Sequence, residues 1–428
     1  MPELILPPGV RYTCLRCGAC CRTLEVTLTD AERGRLLAHD WSAEVPGFTE
    51  ERVFARRRGA AGKQVWRLRP RADGACVFLT GENLCRVHAR LGYAAKPFAG
   101  RVFPFGFVVT PVGVFVGCRF NCPAVVRGKG PTLAEQRGEI QRLFAEYAAT
   151  YEPPREDDQV RFFGHWKVSW RDVLRIEEQL VAFLGLPEVP FARRLLACWM
   201  LVRQFVSQAL RQKSGERMGA DPDEVLARAK EATPKGRLGL LEGMLVRLTV
   251  GAFAGASPHY CRELPLVRRL FVRLGNLGRR LKLALGVGKV RFPGLLRAAK
   301  LRDARRVGLT RLDGEATAML ERYFAAKVSS QGFFGLACFG RSFAQGFELL
   351  AAAYVAVLWL AGARAASEGR SAVGAGDIEY GIEQVDFGYN YLAELGGLST
   401  RMRGAILWHW ATVGKALLTL AEPTPKAE

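Results

Sequence analysis

No uninterrupted apolar run in this sequence is as long as a bilayer-spanning helix. The most apolar run, residues 349–363, reads LLAAAYVAVLWLAGA and lies between Glu348 and Arg364. It is shorter than the roughly 20 residues that a spanning helix needs, so we predict a buried core helix. Residues 1–10 also lack a basic segment followed by an apolar run. We therefore expect no signal peptide and a cytoplasmic protein.

Several sequence signatures of enzyme families are also missing. The chain has no Walker A loop, and the glycines of residues 286–288 follow no clear strand, so no nucleotide-phosphate cradle or dinucleotide fold is indicated. It has no G-x-S-x-G nucleophile elbow. The C-x-x-x-C-x-x-C spacing of radical S-adenosylmethionine enzymes does not occur either.

Acidic residues are scarce relative to basic ones. The chain has 41 Asp plus Glu against 62 Lys plus Arg, a net charge of +21, which favours an acidic partner such as nucleic acid, an anionic membrane or an acidic protein. Residues 262–311 carry 15 basic and two acidic residues, a net charge of +13.

The first half of this basic segment predicts an amphipathic helix. Its apolar stripe consists of Val267, Leu270, Phe271, Leu274, Leu277 and Leu281, and its basic residues Arg269, Arg273 and Arg280 lie off the stripe. Such a helix can dock on an acidic protein or on lipid, or it can be an ordinary surface helix with a solvated basic face. Phe271 and Phe292 are the segment's only aromatic residues, which disfavours nucleic-acid binding by base stacking. We expect an acidic protein partner or protein substrate.

The 11 cysteines are concentrated near the N-terminus. The eight candidate metal ligands are Cys14, Cys17, Cys20, Cys21, Cys76, Cys85, Cys118 and Cys122. Four of them fall within residues 14–21, a density that core packing does not explain. The Cys-x-x-Cys spacing lets two sulfurs converge on one centre from a tight turn, for which Gly18 supplies backbone freedom. Because a reducing compartment keeps thiols available for metals, we predict a metal site rather than disulfides.

The number of candidate ligands exceeds what one centre needs. Structural zinc takes four nitrogen or sulfur ligands, and a cubane iron–sulfur cluster takes about four thiolates, so both cofactors stay open. The adjacent side chains of Cys20 and Cys21 diverge, so one of them is expected to serve a second centre or none. His88 is a further candidate, although a histidine after a strand end more often packs or bonds the backbone. The isolated Cys198, Cys261 and Cys338 are predicted to be buried small hydrophobes.

The pattern of elements predicts an α+β fold: a small cysteine-rich metal-binding domain over residues 1–125, followed by a large, mostly α-helical domain over residues 132–428. Strands are predicted at 24–28, 63–68 and 75–79, a helix capped by Thr29 through Leu37, and a hairpin over 101–118. Beyond the Gly- and Pro-containing segment 127–131, helices are predicted at about 132–151, 170–184, 189–213, 222–231, 236–253, 314–327, 342–365, 376–395 and 399–420.

The order of the cysteine motifs resembles a known family. C-x-x-C-x-x-C-C at residues 14–21 is followed by C-V-F-L at 76–79, C-R-V-H at 85–88 and R-V-F-P-F at 101–105. This order is similar to the zinc- or iron-chelating CxxCxxCC domain, a family that includes the flagellin lysine N-methylases, and the resemblance covers about residues 10–125. It departs at Gly100, where the family usually has a cysteine, and at Lys96, where it usually has an arginine.

Two functions follow as expectations. The resemblance implies a metal-cluster enzyme that transfers a methyl group from S-adenosylmethionine to protein lysines, with flagellin as a substrate. The alternative is a non-catalytic zinc-binding module whose basic helix docks a partner.

Overall fold

The computed structural model of the protein describes residues 2–58, 64–211, 221–233, 238–255, 266–307, 312–392, 395–409 and 411–421. It is a mixed α+β fold. The strands are β1 (Leu4–Ile5), β2 (Thr27–Leu28), β3 (Phe54–Arg58), β4 (Gln64–Leu68), β5 (Phe105–Thr110), β6 (Gly113–Cys118), β7 (Gln159–Phe163), β8 (Trp166–Ser169), β9 (Lys289–Val290) and β10 (Ala299–Lys300).

The helices range from single turns to six or seven turns. They are α1 (Ala19–Thr23), α2 (Asp30–Leu37), α3 (Glu50–Val53), α4 (Arg86–Leu91), α5 (Phe98–Val102), α6 (Pro123–Val126), α7 (Arg137–Tyr151), α8 (Trp170–Leu184), α9 (Phe191–Arg211), α10 (Pro222–Glu231), α11 (Leu240–Phe253), α12 (Leu266–Leu285), α13 (Leu301–Arg306), α14 (Gly314–Ser329), α15 (Phe343–Ser367), α16 (Ala375–Tyr391), α17 (Leu398–His409) and α18 (Thr412–Ala421).

The chain divides into two compact units. The cysteine unit comprises Thr13–Gly106 and Ala256–Leu274, and the helical unit comprises Met1–Tyr12, Phe107–Gly255 and Gly275–Glu428. The domain limits 1–125 and 132–428 stay predictions.

A three-stranded antiparallel sheet in the order β2-β4-β3 organises the cysteine unit. Helix α2 begins at a capping box, in which the Thr29 hydroxyl accepts from the Glu32 N–H and the Glu32 carboxylate accepts from the Thr29 N–H. The predicted cap is therefore confirmed. The core of this unit contains Leu28, Leu36, Trp41, Val53, Phe54, Leu68, Val77, Phe78 and Val87, with Cys76 and Cys85 packed against it.

The predicted strand at 75–79 is wrong. These residues form turns with isolated bridges from Cys76 to Pro70 and from Leu79 to Cys85. The Cys76 N–H donates to the Cys21 carbonyl oxygen at 2.7 Å instead of to a neighbouring strand. A hydrogen bond with Cys21, in helix α1, therefore replaces the pairing with a neighbouring strand that the apolar residues predicted.

The predicted hairpin is present, with a later start. Strands β5 and β6 are joined by a turn in which the Thr110 hydroxyl donates to the Gly113 carbonyl oxygen at 2.8 Å. The first predicted residues belong instead to α5, which ends at Val102. Strand β1 adds to β6 in parallel, a pairing that the sequence did not indicate.

Helix α15 lies at the centre of the helical unit and contains the apolar run. It has the length and apolar composition of a membrane-spanning helix, but 78% of its most apolar window is buried within the protein. This burial is the property expected of a core helix. The predicted helix 399–420 is two helices, α17 and α18, and Ala411 between them has a left-handed φ of 53°.

Candidate metal centre

The Cys-x-x-Cys turn depends on two residues with left-handed backbone. Arg16 has a φ of 52° and Gly18 a φ of 71°. A Cβ atom at Gly18 would lie 2.8 Å from the Asn83 side-chain oxygen, closer than carbon and oxygen normally approach. Glycine is therefore required at this position both for its conformation and for the close approach of the 80–85 loop.

Hydrogen bonds with Asn83 and Cys76 hold helix α1, which contains Cys20 and Cys21, near the second pair of cysteines, Cys76 and Cys85. Arg22 donates to the Asn83 side-chain oxygen at 2.7 Å, and the Cys76 N–H donates to the Cys21 carbonyl oxygen. In α1 the sulfurs of Cys20 and Cys21 are 3.9 Å apart and share a hydrogen bond, so the prediction that these two side chains diverge is wrong. These contacts bring together two motifs that are more than 50 residues apart in the sequence.

The local structure after Cys76 positions Cys85. The Leu79 N–H donates to the Cys76 carbonyl oxygen at 3.0 Å, and the Arg86 N–H donates to the Phe78 carbonyl oxygen at 2.9 Å. The chain thus reverses between the two cysteines, and Cys85 is the residue that precedes α4. Both side chains are partly buried against the core of the cysteine unit.

We call Cys20, Cys21, Cys76 and Cys85 the four-thiol group, because their side chains interact. A hydrogen bond with Cys21, followed by burial, raises the pKa of Cys20, and the nearby Lys96 ammonium lowers it by a smaller amount. Burial raises the pKa of Cys76 to about 12, with further contributions from Cys85 and Cys20. Burial disfavours the charged thiolate in both cases, and repulsion from the neighbouring thiolates adds to its effect.

The donor set of the four-thiol group fits a soft cation. A bound cation would remove the repulsion between thiolates that otherwise favours their protonated forms. All ten described cysteines are thiols. Within the described parts of the chain, however, no three Cys, His, Asp or Glu side chains are close enough together to hold a metal ion. The complete ligand set therefore stays a prediction.

The other predicted ligands of the cysteine unit lie at its surface. Cys14 and Cys17 are exposed on the turn that leads into α1. His88 is exposed on α4, and its ring packs edge-on against Tyr93 with the centroids 5.8 Å apart. At Gly100 a Cβ atom would meet only the Lys96 Cε, at 3.7 Å, so the backbone there accepts a side chain.

Cys118 and Cys122 belong to the helical unit, where both are buried. Burial raises the pKa of Cys118, and Cys122 and Asp386 raise it further. Asp386 forms an ion pair with Lys327 at 2.6 Å and accepts from the Asn121 N–H at 3.1 Å. The surroundings of these two thiols are thus a buried charged pair, unlike those of the four-thiol group.

Two isolated cysteines are buried as predicted. Cys198 and Cys338 are fully buried in the helical unit, and the Cys198 thiol donates to the Leu180 carbonyl oxygen at 3.4 Å. Cys261 lies outside the described residues.

The sequence did not reveal a cavity of about 270 Å³ in the helical unit. Its lining includes the apolar residues Phe163 and Trp408, the basic residues Arg341 and Arg401, and Glu348. One Glu348 oxygen accepts from the Trp199 indole N–H, and the other is buried without a hydrogen-bond partner. Burial raises the pKa of Glu348 to about 7. The sequence feature that could have indicated this site is the acidic residue Glu348, directly before the most apolar run.

Comparisons with known proteins bear on the cysteine unit. Residues 13–112 match the model of the family described as "CxxCxxCC: Putative zinc- or iron-chelating domain". Over 127 residues the chain is 27% identical to "Uncharacterized protein MJ0939" of Methanocaldococcus jannaschii, which covers 28% of this chain and 39% of that relative. The chain thus spans about two fifths of the length of this curated relative. No solved structure gives a significant match.

The family match confirms the broader resemblance and supports metal binding by residues 13–112. The narrower resemblance to flagellin lysine N-methylases stays a prediction.

Proposed function

We propose that the cysteine unit binds zinc or an iron–sulfur cluster through thiolates. The observation that carries this proposal is the four-thiol group, which joins Cys20 and Cys21 to Cys76 and Cys85 across more than 50 residues of sequence. A centre with four thiolates would take its ligands from this group and from Cys14 and Cys17, which are exposed on the turn that leads into α1. When bound, zinc would stabilise the fold, whereas an iron–sulfur cluster would also provide redox chemistry or an open iron.

Replacing Cys17 with serine tests this proposal directly. Because Cys17 is exposed, the change leaves core packing intact, and a loss of metal would report on ligation. Anaerobic purification followed by metal analysis and an absorption spectrum should show stoichiometric metal in the wild type and less than half as much in Cys17→Ser. Cys338→Ala removes a buried thiol of the helical unit and should retain the metal. Full metal content in Cys17→Ser would argue against ligation by the turn.

We further propose that the protein transfers a methyl group from S-adenosylmethionine to lysine side chains of a protein, with flagellin as the first substrate to examine. The motif order of residues 14–105 supports this proposal, and so does the cavity at Glu348. Apolar walls suit the aliphatic stem of a lysine, and a carboxyl group with a pKa of about 7 is half ionised near neutral pH.

The chemistry of this transfer is balanced without a further reactant. The lysine ammonium would first give its proton to the Glu348 carboxylate. The free amine would then form a bond to the methyl carbon while the bond from that carbon to the sulfonium breaks, leaving S-adenosylhomocysteine. Alignment of amine, methyl group and sulfur would be the main contribution of the binding site.

An assay with methyl-labelled S-adenosylmethionine separates the enzyme from the alternative. The full-length protein should label flagellin, and Glu348→Gln should reduce labelling at least tenfold while Glu368→Gln, a change at a half-exposed carboxylate, should not. A colourless zinc protein that gives no labelling would favour the alternative, a non-catalytic module in which the basic helix recruits an acidic protein.

A further inference from the structure

Helix α12 exposes its apolar side instead of burying it. Seven of its apolar side chains are between 56% and 68% exposed: Val267, Leu270, Phe271, Leu274, Leu277, Leu281 and Leu285. With 100° between successive residues, they occupy one continuous stripe about 120° wide. The helix has 20 residues and is therefore about 30 Å long.

The opposite side of α12 attaches it to the protein. Leu283, about 180° from the middle of the stripe, is fully buried. The Arg247 guanidinium donates to the carbonyl oxygens of Leu283 and Ala284 at 2.8 and 2.6 Å, and Arg279 donates to the carbonyl oxygen of Ala254. An ordinary surface helix would bury its apolar stripe, so the stripe of α12 is presented outward.

Basic residues flank the exposed stripe. The helix contains six Arg or Lys and no acidic residue. Arg268 and Lys282 are exposed beside one margin of the stripe, and the sequence positions of Arg273 and Arg280 fall beside the other margin. The side chains of Arg269 and Arg273 lie outside the described residues.

We infer that α12 binds the surface of an anionic membrane, with its apolar stripe at the level of the acyl chains and its basic residues among the headgroups. This inference goes beyond the proposed metal binding and methyl transfer and does not rest on either. A helix of this kind, amphipathic and strongly basic, has the composition of helices that lie in the membrane interface. Each basic residue near an anionic surface adds about fivefold to binding.

A lipid surface accounts for both properties of α12 at once. An acidic protein would satisfy the exposed Arg268 and Lys282 but not the seven exposed apolar side chains. The contacts that hold α12 are at Arg279, Leu283 and Ala284, in its C-terminal half and away from the stripe. A flat interface needs only the side that is exposed.

Vesicle sedimentation of the full-length protein tests the inference. Vesicles of phosphatidylcholine with 30% phosphatidylglycerol should bind the wild-type protein, and pure phosphatidylcholine should bind it at least tenfold more weakly. Leu277→Gln/Leu281→Gln should weaken binding to the anionic vesicles about tenfold or more, because two exposed apolar side chains of the stripe are lost. The charge reversal Arg268→Glu/Lys282→Glu should also weaken it at least tenfold.

A matched pair on another helix provides the control. Leu398 and Met402 on α17 have the same spacing and are 75% and 58% exposed, against 64% and 60% for Leu277 and Leu281. Leu398→Gln/Met402→Gln should bind vesicles like the wild type. Equal loss in both double variants would overturn the inference, as would a lack of wild-type binding to anionic vesicles.

Two further measurements exclude other occupants of the stripe. Binding to polyglutamate that is lost on charge reversal, together with no vesicle binding, would replace the membrane with an acidic protein. A wild-type dimer in light scattering that Leu277→Gln/Leu281→Gln converts to a monomer would assign the stripe to a second copy of the chain and would also overturn the inference.

Discussion

The backbone at Gly100 has room for a side chain near the four-thiol group. A Cβ atom there meets only Lys96, whose ammonium in turn lies within electrostatic reach of Cys20. This proximity makes Gly100 the position at which a single substitution can add a thiol to the centre without disturbing the core.

We expect Gly100→Cys to change the absorption spectrum of the metal centre and to suppress any methyl transfer, because an added thiolate would occupy an open iron. The control is Gly100→Ser, which has nearly the same size but cannot supply a thiolate. If Gly100→Cys binds the same metal with an unchanged spectrum and activity, the centre is already closed and the site is structural.

The buried Glu348 should make the stability of the helical unit depend on pH. Its pKa in the folded protein, about 7, is higher than the ordinary value of 4.5. Between these values the unfolded chain loses the proton while the folded protein retains it, so the free energy of unfolding falls as pH rises and levels off above pH 7. The total change is on the order of 3 kcal/mol.

Glu348→Gln should remove this dependence, since glutamine keeps an acceptor for the Trp199 indole but does not titrate. Urea unfolding at pH 5 and pH 8 measures the pH dependence of the free energy of unfolding. Relative to the wild type, the variant should gain stability on going from pH 5 to pH 8. Parallel curves for the two proteins would show that Glu348 does not titrate in this range.

At the scale of elements, the sequence predicted what local interactions determine. The N-caps Thr29, Ser169 and Asp221 all accept backbone N–H groups at the predicted starts of helices. Side-chain capping involves residues only two or three positions apart, so a short pattern is sufficient. The exposed apolar side of α12 could not be predicted in this way, because the sequence gives the stripe but not the direction in which it points.

The Cys-x-x-Cys turn at residues 14–18 requires both left-handed backbone at Gly18 and close approach of Asn83. Gly18→Ala should destabilise the cysteine unit by about 1–3 kcal/mol, because alanine at positive φ is strained and its Cβ would clash with Asn83. Urea unfolding and the metal content of the purified protein would both report the change.

Gly81→Ala is the matched control for the turn. A Cβ atom at Gly81, in the adjacent loop, would meet nothing within 4 Å. This variant should keep both the unfolding midpoint and the metal content of the wild type. Equal behaviour of the two variants would mean that Gly18 is not required for the turn.

At the scale of the whole molecule, the α+β class followed from the pattern of elements, and the position of the metal-binding region followed from the distribution and spacing of the cysteines. The division of the eight candidate cysteines between the two units did not follow from the sequence. Cys118 and Cys122 follow the others in sequence and complete the expected ligand count, yet they belong to the helical unit beside the Asp386–Lys327 ion pair. The spacing of Cys118 and Cys122 does not show which unit they belong to, because that depends on the pairing of β6 with distant residues.

This division predicts separate responses to metal removal. The cysteine unit has a small core and would gain roughly 10 kcal/mol from a structural metal, whereas the helical unit has its own core around α15. Treatment with a chelator should therefore lower the amide protection of residues 13–106 at least tenfold in hydrogen exchange and leave Phe343–Ser367 unchanged. Cys17→Ser, already depleted of metal, should show the low protection before treatment and no further change after it. Equal loss of protection in both regions would mean that the metal stabilises the whole chain and not one unit.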